Sequence, residues 1–239
     1  MYNRNLLKNQ ANFHSIEISE QQLDKFEVYS ELLCEWNKKI NLTKITEPDE
    51  IAIKHFLDSI MPLKYIQLEK CSKVADIGSG AGFPMIPIEI MRPDLHVTMI
   101  DSLNKRVQFL NLASEHLMLN SRAIHMRAED VGNAKAVNNL RDTFDIVFAR
   151  AVASLNILCE YSLPLIKTNG QFVALKGFDC DEEIEKAKTT INLLGGEISN
   201  VFKFNLDENN KRSIIVIKKI SQTPTKYPRS SKEITKKPL

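Results

Sequence analysis

Hydrophobic positions early in the chain recur at three- and four-residue intervals. Within residues 19–41 they are Leu23, Phe26, Tyr29, Leu32, Leu33, Trp36 and Ile40, the stripe of an amphipathic helix. Ser19, three residues before Gln22, supplies a capping-box start. A second helix is predicted after Thr46. Pro48 is tolerated in its first turn, Ile53, Phe56, Leu57 and Ile60 form its apolar side, and Pro62 interrupts it. Residues 1–72 therefore read as a helical extension.

From Lys73 the pattern changes to short apolar runs separated by helical stretches. Val74-Ala75-Asp76-Ile77 reads as a strand and is followed by a glycine loop and a helix from Pro84 to Met91. Strands follow at His96–Ile100, Ala123–Met126, Phe144–Phe148 and Gln171–Leu175, with helices at about 104–118, 154–166 and 181–194. This alternation predicts right-handed βαβ units and a mostly parallel sheet, an α/β Rossmann-like core. Ile198–Phe204 and Arg212–Lys218 are joined by the polar turn Asp207-Glu208-Asn209-Asn210 with no helix between them, so they should form an antiparallel hairpin at the sheet edge. The expected organisation is an extension over 1–72, a core over 73–220 and a Lys/Ser/Thr/Pro-rich tail over 221–239.

Composition narrows the class. With 239 residues, 43% of them hydrophobic, the chain can bury one full-sized core plus an appendage. No apolar run approaches the roughly 20 residues of a membrane helix, and the first residues lack a signal-peptide stretch, so a cytoplasmic protein is expected. Four scattered cysteines and five histidines show no metal-ligand spacing, so neither a disulfide frame nor a metal is expected. The net charge is only +2, but residues 218–239 hold seven Lys/Arg against Glu233, which leaves −4 on the rest. Lys226, Arg229, Lys236 and Lys237 are the candidate contacts to a polyanion such as RNA. The other reading is a solvated tail that aids solubility.

The loop Asp76-Ile77-Gly78-Ser79-Gly80-Ala81-Gly82 carries the chemistry. Strand, glycine loop and helix let a backbone approach a nucleotide, and Asp101, 19 residues past Gly82, stands where a carboxylate would accept from ribose hydroxyls. A pyrophosphate fingerprint needs Gly-x-Gly-x-x-Gly, whereas here the glycines are Gly78, Gly80 and Gly82 with Phe83 in the third place. Asp76 would repel a pyrophosphate but attract the ammonium of S-adenosylmethionine. Spacing and charge favour that cofactor over a dinucleotide. Ala128 and Glu129, after the third strand, could frame its adenine, Glu129 accepting from the amino group; a solvated loop carboxylate is the bland alternative.

After the fourth strand the chain reads Phe148-Ala149-Arg150-Ala151-Val152-Ala153-Ser154, with neither an Asn/Asp-Pro-Pro-aromatic motif nor a nucleophilic cysteine. What remains is methyl transfer to an atom already nucleophilic, such as guanine N7, where in-line positioning suffices and no catalytic base is assigned. Arg150 could hold the cofactor, stack on a base, or form an ordinary ion pair. His55 and Asp58, three apart on a helix, read by themselves as a surface pair or a helix-to-core hydrogen bond. Trp36 reads as core first and stacking platform second.

In order along the chain stand Trp36-Asn37, Asn41-Leu42-Thr43, His55-Phe56-Leu57-Asp58-Ser59, the loop through Gly82-Phe83-Pro84, Asp101-Ser102 and Lys105-Arg106. Then come Ala149-Arg150-Ala151-Val152-Ala153, Leu175-Lys176-Gly177, Lys226-Tyr227-Pro228-Arg229 and Lys237-Pro238-Leu239. In these stretches the chain resembles the ribosomal RNA small-subunit methyltransferase G family, also called glucose-inhibited division protein B. The resemblance implies a class I methyltransferase fold and a cofactor site of Gly78, Phe83, Ala128, Glu129 and Arg150. It also implies N7 methylation of a guanine in the 530 loop of 16S rRNA, at position 527 of the reference rRNA. A monomer acting on 16S rRNA or the small ribosomal subunit is expected. Met85 stands where the family usually has glycine, and Lys232 and Ile234 replace the usual glycine and proline of the tail. Rival readings are a methyltransferase acting on a small molecule or protein, which a closed acidic pocket would favour, and a cofactor-binding ribosome-assembly factor without turnover.

Overall fold

The computed structural model describes residues 2–136, 140–150 and 153–239. Helix α1 (Arg4–Phe13), capped by the Asn3 side chain on the Leu6 amide, precedes α2 (Glu20–Ile40). The Ser19/Gln22 capping box starts α2, and Asn41, left-handed at φ 49°, ends it. The second predicted helix is a composite. It opens as α3 (Pro48–Glu50), widens into a π-helix over Ile51–Leu57, and returns to α geometry in α4 (Asp58–Ile60) before α5 (Pro62–Tyr65).

The core then alternates as expected: β1 (Lys73–Ile77), α6 (Met85–Met91), β2 (His96–Asp101), α7 (Asn104–His116), β3 (Arg122–His125), α8 (Ala128–Val131) and β4 (Phe144–Arg150). It continues through α9 (Leu155–Ser162), β5 (Ile166–Gly177), α10 (Asp181–Leu193), β6 (Gly196–Asn205) and β7 (Lys211–Lys219). Seven strands form one sheet in the order β3-β2-β1-β4-β5-β7-β6. The first five are parallel, and the last two form the antiparallel hairpin, with β7 inserted between β5 and β6. No helix among the described residues is long and apolar enough to cross a membrane.

Alternation along the strands divides the core between the two faces of the sheet. Val74 and Phe148 face a cluster that holds α1, α2, the π-helix, α6 and α7, whereas Ala75 and Ala149 face one built on α9 and α10. The N-terminal helices thus share one core with the sheet: Leu23, Phe26, Tyr29 and Phe56 are completely buried there. Trp36 is half-buried against Phe109, ring centroids 5.7 Å apart, which is the core role expected of it.

The tail is docked on the body. Tyr227 and Ile234 are buried, and Ser230 and Glu233 form a capping box for α11 (Ser231–Lys236). A low-complexity reading missed this because two apolar side chains in a polar stretch show no periodicity.

Candidate active site

Parallel strands end on one edge of the sheet, and the strand order reverses between β1 and β4, the position at which α/β sheets bind ligands. Two clefts open along this edge. One is lined by Gly78, Asp101, Ala128 and Glu129, together with Tyr161 and Ser231. The other is lined by Lys54, His55, Asp58, Arg150, Lys176 and Arg212.

The glycine loop is held by its own backbone. Gly78 and Ser79 donate to the Ile100 carbonyl at 2.8 and 3.2 Å, and Gly80 donates to Asp101 Oδ2 at 2.8 Å. Tyr29, inside the α2 stripe, donates its hydroxyl to the Ala81 carbonyl at 2.5 Å. Gly82 has φ +95°, a backbone conformation that strains any side chain, and a Cβ there would also crowd the Ile86 side chain at 2.5 Å and the Tyr29 hydroxyl at 3.0 Å. Met85 is the first residue of α6 and fully buried, so its side chain enters the core rather than the loop.

Asp101, the carboxylate expected at a ribose, is also tied to the loop. Its second oxygen accepts from the Leu103 amide at 2.9 Å, so it braces the loop while lining the cleft. Asp76 lies under the loop, fully buried, and neither carboxylate oxygen has a hydrogen-bond partner among the described residues. Burial pushes its pKa well up, with the nearby Ser79 hydroxyl and then Arg150 acting in the opposite sense. A buried carboxylate without a donor fits a ligand that brings a cation, and the ammonium of S-adenosylmethionine is one. Of the residues expected at the cofactor, then, Gly78, Asp101, Ala128 and Glu129 line this cleft, while Asp76 and Gly80 support it from beneath.

Arg150 lines the other cleft, and Phe83 lines neither but is buried behind the second one. The Phe83 ring stacks on His55 with centroids 4.2 Å apart, and the Arg150 guanidinium lies 4.8 Å from the same ring. Arg150 donates to Asp58 Oδ2 at 3.1 Å and to the Lys54 carbonyl at 3.3 Å, and Arg212 lies 3.2 Å from Asp58 Oδ1. The ordinary ion pair considered for Arg150 is present, but inside a cleft wall. His55 and Asp58 are no surface pair: they are 6% and 7% exposed. The π turn carries His55 and runs directly into Asp58, the first residue of α4, at the β4 end, and such turns concentrate at functional sites. Ala151 and Val152 lie outside the described residues.

Burial and the neighbouring Arg150 hold the His55 pKa down to about 3, so its ring is neutral and pairs with the Thr43 hydroxyl at 2.8 Å. Unfolded, the same side chain titrates near 6.5. Between about 3 and 6.5 the unfolded chain binds more protons, so stability is lost as pH falls through that window. We expect the urea-unfolding free energy to drop by roughly 2–3 kcal/mol from this group between pH 7 and 4.5. His55→Gln should flatten that dependence; an unaltered pH slope in the variant would refute the assignment.

Lys176, Arg212, Tyr161 and Ser231 were not singled out as site residues. Lys176 stood in a matched stretch and Arg212 opened the last apolar run, but nothing local marked Tyr161 or Ser231.

A Rossmann-like sheet with a terminal antiparallel hairpin, and a cleft at the carboxyl ends of its first strands beneath a glycine loop, fits a class I S-adenosylmethionine-dependent methyltransferase. Solved structures share the fold. A chain in the complex between the Haloferax volcanii Trm112 methyltransferase activator and its methyltransferase superposes with a TM-score of 0.59 at 11% identity, covering 79% of this chain and 98% of that one. A SAM-dependent methyltransferase from Aquifex aeolicus gives 0.53 at 16%, covering 71% and 93%. Residues 22–215 match the family GidB, rRNA small subunit methyltransferase G, and the chain belongs to that family. Proteins named ribosomal RNA small subunit methyltransferase G are similar over nearly the full length. That of Desulforamulus reducens is 49% identical over 98% of this chain and 97% of its own, and that of Bacillus subtilis 49% over 94% and 93%.

Proposed function

We propose that the protein transfers a methyl group to N7 of a guanine in the 530 loop of 16S rRNA. It would act in the cytoplasm as a monomer, without a metal. The observation that carries this reading is the second cleft: Lys54, Arg150, Lys176 and Arg212 line it with Asp58, and although Asp58 takes both arginines while Glu50 and Glu183 pair with Lys54 and Lys176, four cations against three carboxylates leave it a net positive charge. An open basic cleft suits a polyanion and disfavours the small-molecule alternative, for which a closed acidic pocket is expected.

S-adenosylmethionine, held by Gly78, Asp101, Ala128 and Glu129 with Asp76 beneath, supplies an electrophilic methyl on a sulfonium. The protein's own part is positioning. N7 of guanine has an in-plane lone pair, so no proton has to be removed, and the cluster is built accordingly: His55 is neutral and Asp58 is held between two arginines. No cysteine is among the lining residues of either cleft, in keeping with an acceptor that needs no covalent intermediate. Residues 1–72 bring His55 and Asp58 to the cleft, 73–220 bind the cofactor, and 221–239 add exposed lysines.

The direct test is methylation of small-subunit particles and of naked 16S rRNA with labelled cofactor, followed by mapping of the label. Label in guanine N7 of the 530 loop is expected; label elsewhere, or none, overturns the reading. Among the tail cations, Lys226, Lys236 and Lys237 are exposed, whereas Arg229 is bound to Glu160 at 2.7 Å. Phosphate contact is therefore proposed for the lysines only. Changing all three to glutamine should lower the slope of log affinity against log salt by about two to three, at about 0.7–0.9 per phosphate contact. An unaltered slope would remove the tail from the RNA interface.

A further inference from the structure

The first cleft has a wall that comes from the far end of the chain. Its cavity is about 160 Å³, against about 380 Å³ for the basic cleft and roughly 300–1,000 Å³ for ordinary ligand pockets. Ser231 lines it together with the Met126–Glu129 stretch and with Tyr161, whose hydroxyl it neighbours. Ser231 is placed there by an anchor. Glu160, next to Tyr161 on α9, is 1% exposed, and Arg229 meets its two oxygens through Nε at 2.8 Å and Nη2 at 2.7 Å. The Arg229 amide adds a third bond to Glu160 at 2.9 Å. Further on, Ile234 is fully buried and the Leu239 carbonyl accepts from Asn156 at 2.8 Å.

We propose that the C-terminal segment is a clasp over the adenosyl pocket: Ser231 forms the pocket wall on the adenine side, and the Arg229–Glu160 pair holds it shut. This rests on the reading of the first cleft as the cofactor site. The ligand class is an adenine nucleoside thioether or sulfonium. A wall that excludes water on a second side of the base increases the ligand area buried and limits what can be attached to the adenine amino group. Arg229 is then a positioning residue, acting on the cofactor through Ser231, and not a phosphate contact. Its bidentate, charge-assisted geometry is one that lysine reproduces only in part.

The test is calorimetric titration of the full chain and of Arg229→Leu, Arg229→Lys, Ser231→Leu and Ser231→Gly. The probes are S-adenosylhomocysteine and the same molecule alkylated on its adenine amino group. Arg229→Leu should weaken binding of the unmodified ligand about tenfold, with Arg229→Lys intermediate. Ser231→Gly should improve binding of the alkylated ligand relative to the parent, and Ser231→Leu should weaken both. Salt dependence of RNA binding should be the same in Arg229→Leu as in the parent chain. Should Arg229→Leu fail to unfold cooperatively, the two Ser231 variants, which leave the anchor intact, decide the matter. Affinities within twofold across the Ser231 variants, with no change in discrimination between the ligands, would overturn the clasp. Failure of the parent chain itself to bind S-adenosylhomocysteine would instead refute the cofactor reading beneath it.

Discussion

An Asp76→Asn variant is expected to bind cofactor about ten- to a hundredfold more weakly, while the free protein becomes harder to unfold. A hydrogen bond to a charged group is worth about 1.5–3 kcal/mol, and the asparagine amide offers an incoming ammonium a neutral oxygen in place of a carboxylate. The gain in stability has the same origin as the loss of function. Both oxygens of Asp76 are buried without donors, and burial raises the carboxyl pKa far above its ordinary value. Between the unfolded pKa near 3.9 and the raised native value, the native protein binds more protons than the unfolded chain. Stability therefore falls as pH rises through that window. At pH 8 the variant should melt about 2–4 °C above the parent, and the difference should shrink at pH 5. Scanning calorimetry at the two pH values and titration with S-adenosylhomocysteine check the two halves; equal melting and equal affinity would show that Asp76 is neither strained nor used.

The second large effect is expected at Asp58. Its carboxylate accepts from Arg150 on one oxygen and faces Arg212 on the other, with side chains 14% and 26% exposed. Burial raises its pKa, and the two guanidiniums oppose that shift. Removing one member of a buried ionic cluster leaves the others uncompensated, so Asp58→Ala should cost about 3 kcal/mol in urea unfolding and abolish methyl transfer. Adding Arg212→Leu to Asp58→Ala should recover part of the stability, because one fewer positive charge is stranded, but none of the activity. Strict additivity of the two single variants would show that the three groups do not act as a cluster.

Local pattern carried much of the fold. The strands of the parallel core were legible because each βα unit buries a continuous apolar run, and the closing hairpin because two such runs follow one another without a helix. Gly78, Asp101, Ala128 and Glu129 were legible because loop spacing and strand ends place them together. What local pattern could not show was adjacency between distant segments. His55 and Asp58 meet Arg150 only because the composite helix packs across the β4 end, and the π turn alters which residues share a face. Helix α1 went unread because it buries only Leu7 and Ala11, too few positions for a period. Arg229 looked like one more tail cation; its partner, Glu160, lies 69 residues away on α9.

Both clefts also take a wall from the last part of the chain: Arg212 at the start of β7 in one, Ser231 in the other. During synthesis, at about 5–20 residues per second, the N-terminal helices and the parallel strands emerge and can pack first. The basic cleft needs the chain as far as Arg212, whereas the first cleft needs it as far as Ser231. A chain cut between Arg212 and Ser231 would therefore keep the lining of the basic cleft and lose a wall of the first, so the two sites can be separated by truncation.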